Sequence, residues 1–191
     1  MMSMACDLKV FLIGFAALRL ASAIGVAQAG LSYATQVQTI RSAEIDVNGQ
    51  LAIVTSTGQA IVVRKEGEQT SFSMPIVSSQ RTAVAAQAMF PNSGTSYDIP
   101  LQLVVFARGK VHRFKGKGLP IFRWGFADGG ARIAYGQETV HYACATHYEL
   151  RDIDSERLID SIDVPQPCGQ MPKPKAVKIP QWVSNLISKK Q

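Results

Sequence analysis

The dominant pattern along the chain is a series of short apolar segments of period two, separated by tight-turn signals. It is clearest over residues 122–164, where Asp128-Gly129-Gly130 and Asp154-Ser155-Glu156 mark turns. The strands predicted there cover residues 132–135, 138–143, 148–153 and 157–164. Turns at this spacing with alternating strands between them indicate an antiparallel all-β meander.

Residues 42–75 repeat the pattern. Asn48-Gly49 is a strong hairpin signal because both residues accept positive φ, and Thr57-Gly58 marks a second turn. Residues 61–63 (Ile-Val-Val) do not alternate, which predicts a strand that is covered on both faces. A further strand at residues 71–74, ending at Pro75, is expected to complete a four-stranded first unit.

A second unit is predicted over residues 76–120. Its strands are expected at residues 82–89, 101–107 and 110–114, and the segment 90–99 (FPNSGTSYDI) is expected to be an irregular loop. With residues 121–164 as the third unit, the fold class is all-β, an antiparallel meander of about three blade-like units.

Beyond residue 164 the chain changes character. A proline-rich extended tail is predicted from Pro165, Pro167, Pro172, Pro174 and Pro180. A short helix is expected after Pro180. Its apolar face would carry Trp182, Val183, Leu186 and Ile187. We expect this face to dock on the β-domain, and a partner or membrane surface is the alternative, favoured by Lys189 and Lys190.

Two segments of the third unit resemble a known repeat. Residues 124–135 (WGFADGGARIAY) resemble the W-S-P-D-G-x-x-I-A-F strand and turn of WD40-like repeats in TolB-type β-propellers, and residues 148–159 (YELRDIDSERLI) resemble the third and fourth strands of such a blade. Ala127 replaces the proline, and Ser155-Glu156 replaces Thr-Gly. The resemblance implies a partial propeller. It supports fold rather than function, because blade motifs recur in unrelated proteins.

The first residues have the anatomy of a secretory signal peptide. Lys9 precedes an apolar run over residues 10–18, and small-residue sites follow at 21–23 and 27–29. We expect export to the periplasm or exterior and cleavage after Ala29. An uncleaved anchor is the alternative, but it would place Arg19 within the bilayer at a cost of roughly 2.5–3.5 kcal/mol. The predicted regions are thus a signal peptide (1–29), a β-domain (30–164) and a tail (165–191).

The charge of the chain adds little to the predicted fold and regions. The chain carries a formal net charge of +6, and removal of residues 1–29 leaves +5. A basic cluster comprises Lys110, Arg113, Lys115 and Lys117. We interpret it as a solvated hairpin, and an anionic partner surface is the alternative. Nucleic acid is not expected as a partner, since no recognition helix or stacking pattern accompanies these charges.

Export leaves two cysteines, Cys144 and Cys168, and an even count in an exported chain predicts a disulfide. Closing a loop of about 25 residues would stabilise the fold by on the order of 3 kcal/mol. The alternative is two separate thiols. His141 and His147 flank Cys144, but a straight strand cannot bring the three side chains together, so we expect no metal site.

No catalytic constellation is present in the sequence, and we expect no cofactor. The acids at 152, 154, 160 and 163 fit turn-capping roles rather than a calcium loop. Two functions remain. The first is an exported, non-catalytic interaction module with a protein partner or self-association. The alternative is a secreted hydrolase or carbohydrate-active protein that uses the 90–99 loop and the basic 110–117 hairpin.

Overall fold

The computed structural model describes residues 38–94, 96–140, 144–167 and 177–188. In these ranges the chain forms eleven strands and one short α-helix. The strands are β1 (Ile40–Ile45), β2 (Leu51–Thr55), β3 (Ala60–Val63), β4 (Ser71–Val77), β5 (Ala83–Phe90), β6 (Ile99–Ala107), β7 (Lys110–Lys115), β8 (Ile121–Ala127), β9 (Arg132–Gln137), β10 (Ala145–Asp152) and β11 (Leu158–Pro165). The helix, α1, spans Gln181–Ser188. The all-β prediction with a short C-terminal helix is confirmed.

The strands form three antiparallel meanders. The first sheet is β1-β2-β3, the second is β4-β5-β6-β7, and the third is β8-β9-β10-β11. The expected number of units is therefore correct, but the assignment of residues 71–74 to the first unit is wrong. β4 pairs with β5, with Phe72 opposite Ala88 and Val77 opposite Val84. The first sheet consequently has one strand fewer than the other two.

The sheets are joined by two apolar clusters. The first and second sheets meet through Ile40, Leu51, Ile53, Val63, Phe72, Val84, Ala86, Ala88, Val104 and Phe106. The second and third sheets meet through Ala83, Ala85, Leu103, Val105, Ala107, Phe114, Ile121, Trp124, Ile133, Tyr135 and Ile153. β5 supplies even-numbered residues to one cluster and odd-numbered residues to the other. Its unbroken burial over residues 83–88 follows from this two-sided packing.

Helix α1 covers the outer face of the third sheet. Val183 and Leu186 are buried there with Ala134, Tyr148 and Leu150. Within the described parts of the chain, no helix has the length and apolar character needed to cross a membrane.

Most predicted strands and turns are observed. Phe90 pairs with Ile99, so the predicted loop is confined to residues 91–98. The strand predicted at 138–143 is not formed at residues 138–140, and residues 141–143 lie outside the described ranges. The predicted turn at Asn48-Gly49 is formed, with Gly49 at φ 71° and the Asp46 side chain accepting bonds from the amides of Asn48 and Gln50. That left-handed φ favours glycine at this position.

Candidate binding surfaces

Strand β3 forms an open end of the sheet stack. The expectation that residues 61–63 are covered on both faces is wrong, because Val62 is 49% exposed and Ala60 is also exposed. Their neighbours on the same face, Ala52 and Val54, are only half-buried. The physical reason is position: the first sheet lies at the end of the stack, and among the described residues nothing packs on its outer face.

The outer edge of β3 also lacks a strand partner within the described ranges. Gln59 O accepts a bond from Thr55 N, so strand alternation directs the N–H and C=O of Ala60 and Val62 away from β2. The strand contains no charged residue and no proline. Such an edge is a template for pairing with another chain.

The other strand edges carry features that disfavour such pairing. Charged residues or proline lie along β7 and β11, and β4 has Pro75 within a register shift. The edge of β8 is engaged, since Gln87 Nε2 donates to Ile121 O at 2.5 Å. The edge of β1 is engaged by Arg81, whose backbone O accepts from Ile40 N. Arg113 Nη2 donates to Arg64 O directly after β3, but residues 60–63 themselves carry none of these features. β3 therefore differs from the other edges of the described sheets.

A second surface is a cleft of about 610 Å³ between α1 and the third sheet. The cleft is lined by Gly125, Phe126, Ala127, Asp128, Arg132, Ala134 and Leu150 of the sheet side and by Gln181, Trp182, Asn185, Leu186 and Ser188 of the helix. Trp182 Nε1 donates to Asp160 Oδ2 at 2.9 Å, which holds the indole against the sheet. Sequence reasoning placed Trp182 on the docking face but did not predict the cleft. The sequence feature that could have indicated a polar rim beside the helix was the pair of amides, Gln181 and Asn185, at the i,i+4 spacing.

The four residues predicted for the helix face do not share one environment. Val183 and Leu186 are buried, and Trp182 is half-buried. Ile187 is 40% exposed and lines a separate hollow beside Arg123 and Val164. An eight-residue helix presents a narrow stripe to a sheet, so its flanking apolar residues remain accessible.

A buried polar network crosses the third sheet. Tyr135 Oη donates to Glu149 Oε2 at 2.6 Å, and Arg151 Nε donates to the same oxygen at 2.7 Å. His147 Nε2 lies 3.2 Å from Glu149 Oε1, and its Nδ1 lies 2.6 Å from Asp163 Oδ1. Sequence reasoning missed this network. Its available signal was Glu149 and Arg151 at the two-residue spacing of one strand face, adjacent to His147.

The network changes the acidity of its members. Burial opposes ionisation of Glu149, but the hydrogen bonds from Tyr135 and Arg151 outweigh it and hold the pKa of Glu149 below its usual value of 4.5. Burial, together with the bond to Glu149, raises the pKa of the Tyr135 hydroxyl. Glu149 is therefore a charged, fully engaged side chain that links β9 and β10.

The residues of the predicted basic cluster are separated by the structure. Lys110 and Lys115 are exposed on β7, and Lys117 is exposed beyond its end. Arg113 is paired with Glu66 at 2.9 Å, and its side chain is 16% exposed. His112 is buried and lies 3.1 Å from Glu156. The three lysines accordingly provide the accessible positive charge at this edge.

The acidic residues each have a separate partner. Asp152 caps the turn by accepting from Ser155 N at 2.9 Å, and this backbone bond is the first cause of its lowered pKa. Asp154 pairs with Arg108, Asp160 accepts from Trp182, and Asp163 contacts His147. Among the described residues, no group of three or more His, Cys, Asp and Glu side chains is arranged to hold a metal.

Several residues of the sequence analysis lie outside the described ranges. They are residues 1–29 of the predicted signal peptide, His141 of the H-x2-C-x2-H run, Cys168 of the predicted disulfide, Pro172 and Pro174 of the tail, and Lys189 and Lys190. Cys144 is exposed immediately before β10. The bridge between Cys144 and Cys168 stays a prediction.

Comparisons with known proteins add little. No protein family matches the sequence, and no curated protein does. Among solved structures, an acylaminoacyl peptidase from Pyrococcus horikoshii is similar, with a TM-score of 0.40 and 12% sequence identity. The match covers 69% of this chain and 26% of the peptidase chain.

Proposed function

We propose that this protein is an exported, non-catalytic interaction module that binds a protein partner by strand addition to β3. The observation that carries the proposal is the open edge of the first sheet. It is one strand short of the other sheets, it contains no charge or proline, and Val62 is half exposed beside it. Main-chain hydrogen bonds to a sheet edge supply affinity, and alternate side chains supply specificity.

Export and a blade-like architecture are part of the proposal. Export is supported by Lys9, the apolar run at 10–18 and the Ala27-Gln28-Ala29 site. The propeller-like interpretation is supported by three consecutive antiparallel meanders packed through shared apolar clusters. N-terminal sequencing of protein from its native host should find Gly30 first; a cytosolic product with intact Met1 would overturn export.

The test of the binding edge is the variant Val62→Lys in the full chain. A lysine at this exposed position adds charge to the edge without disturbing the core, and it should reduce partner capture from the host's envelope or secreted fraction at least tenfold. Self-association, measured by sedimentation velocity, should fall in parallel if the partner is a second copy.

The matched control is Val111→Lys. Val111 is 44% exposed on β7, beside Lys110, so the same substitution should leave capture unchanged. Equal losses in both variants, or no loss in Val62→Lys, would contradict strand addition at β3. Turnover of hydrolase substrates that survives Val62→Lys would instead favour the secreted-hydrolase alternative.

A further inference from the structure

The cleft between α1 and the third sheet has an apolar floor with one aromatic ring, that of Trp182. The floor beside this ring is lined by Ala127, Ala134, Leu150 and Leu186. The Phe126 ring packs against Trp124 on the opposite face of the sheet. The Trp182 Nε1 proton is already engaged by Asp160, so the indole offers the cleft its ring surface. Aromatic faces of this kind pack well against the C–H groups of a ring-shaped ligand.

The cleft has two polar rims, one formed by side chains of α1 and the other by side chains of the third sheet. On the helix side, Gln181 Nε2 donates to Asn185 Oδ1 at 2.9 Å. This bond leaves the Gln181 oxygen and the Asn185 amino group available, so the helix rim offers an acceptor and a donor. On the sheet side, Asp128 and Arg132 form an ion pair at 2.9 Å, and both side chains remain about half exposed. This rim also offers both acceptors and donors.

The charge of the cleft restricts its ligand. Among the described residues that line it, the ionisable side chains are Asp128 and Arg132, and their opposite charges are paired. A phosphate or another isolated anion would have to compete with Asp128 for Arg132. A neutral ligand with many hydroxyls avoids this competition, because each hydroxyl both donates and accepts.

From these observations we propose that the cleft between α1 and the third sheet is a binding site for a neutral carbohydrate. Its volume of about 610 Å³ lies in the range of small-ligand sites. A sugar ring stacks its C–H face on Trp182, while its hydroxyls bond to the amides of Gln181 and Asn185 and to the Asp128–Arg132 pair. This site is at the opposite end of the sheet stack from β3 and is independent of the function proposed for that edge.

The test uses the full chain and an array of neutral oligosaccharides that includes maltotriose, cellotriose, xylotriose and chitotriose, followed by calorimetric titration of the best binder. We expect binding in the micromolar to millimolar range. Asn185→Leu should weaken it at least tenfold, since a leucine keeps the helix but leaves the sugar hydroxyls without their partner.

The control variant is Ile187→Ala, which lies on the same helix but outside the cleft and should leave binding unchanged. A thermal melt of each variant shows whether α1 remains docked. The proposal is overturned if no neutral oligosaccharide binds, or if Asn185→Leu binds as well as the parent. It is equally overturned if only acidic oligosaccharides bind, or if only extended peptides occupy the cleft.

Discussion

Glu149 occupies the most demanding environment of any described carboxylate. It is 3% exposed, and burying a charge is unfavourable unless hydrogen bonds replace the lost water. Tyr135 supplies its contact from the position directly opposite on β9, and Arg151 and His147 supply theirs from two residues away on β10 itself. The network consequently fixes the register of β9 against β10, because a one-residue slip would separate Tyr135 from Glu149.

Tyr135→Phe tests how much the hydrogen bond from the neutral Tyr135 hydroxyl to Glu149 contributes to stability. Removing the hydroxyl leaves a buried carboxylate oxygen short of a donor, and we expect a loss of about 1.5–3 kcal/mol in the free energy of unfolding. Urea denaturation at neutral pH measures it. Tyr97→Phe is the control, since Tyr97 is 53% exposed and substitutions at exposed positions usually change stability by less than about 0.5 kcal/mol; comparable losses at both positions would contradict the role given to Tyr135.

Glu149→Gln tests the charge itself through pH. Because the folded-state pKa of Glu149 is lowered, its charge stabilises the fold above the ordinary value of 4.5, and this contribution is lost as pH falls through the lowered pKa. The wild-type protein should therefore melt at a higher temperature than the variant near pH 7. The difference should shrink as the pH falls below 4.5. A difference that stays constant from neutral to acidic pH would exclude this mechanism.

At the residue scale, the sequence predicts which side chains share a strand face, but not which side chains they contact on the neighbouring strand. Alternation in the strand predicted over residues 148–153 places Glu149 and Arg151 on one face. The partner Tyr135 depends on where the chain between β9 and β10 turns back. The strand wrongly predicted across residues 138–140 obscured that turn, so the register of the two strands was not predictable.

At the element scale, the local turns were predictable and the strand pairings were less so. The hairpin predicted at Asn48-Gly49 is formed, with Gly49 at positive φ and with the Asp46 side chain bonded to the amides of Asn48 and Gln50. β4 follows β3 closely in sequence, yet it pairs with β5. β4 has seven residues and β5 has eight, whereas β3 has only four. Similarly, the apolar run in β3 resembles a buried strand, and only its terminal place in the stack leaves Val62 exposed.

Leu186→Ala tests how strongly α1 is attached to the third sheet. Leu186 is 4% exposed in a cluster with Tyr148 and Leu150, and its truncation should cost about 2–5 kcal/mol if unfolding of the helix and sheet is one transition. Chemical denaturation followed by both far-ultraviolet circular dichroism and the combined fluorescence of Trp124 and Trp182 would show this. Ile187→Ala, at an exposed position of the same helix, should change stability by no more than about 0.5 kcal/mol. An equal effect of the two substitutions would mean that the helix does not dock through Leu186.

At the scale of the whole molecule, three stacked sheets have two terminal faces, and these faces differ in whether another element covers them. Helix α1 covers the outer face of the third sheet, whereas the outer face of the first sheet is uncovered among the described residues. A closed propeller typically has four to eight blades, and three sheets are too few to close, so a terminal face stays open unless another element covers it. The sequence predicted that the helix docks on the β-domain, but only the structure shows that it covers the third sheet.

Removal of the tail is the prediction that follows for the whole chain. Ending the protein after Val164 deletes α1 and exposes the apolar surface formed by Ala134, Tyr148 and Leu150. Exposed apolar patches promote association, so the shortened protein should form oligomers or aggregates and should melt at a lower temperature. Both the shortened protein and its full-length comparison should carry Cys144→Ser, so that loss of the predicted bridge to Cys168 does not contribute to the difference. Light scattering coupled to size exclusion, together with thermal melts, gives the answer. If the shortened protein stays monodisperse and as stable as the full-length Cys144→Ser protein, α1 does not cover the core, and the burial of Val183 and Leu186 has no energetic consequence.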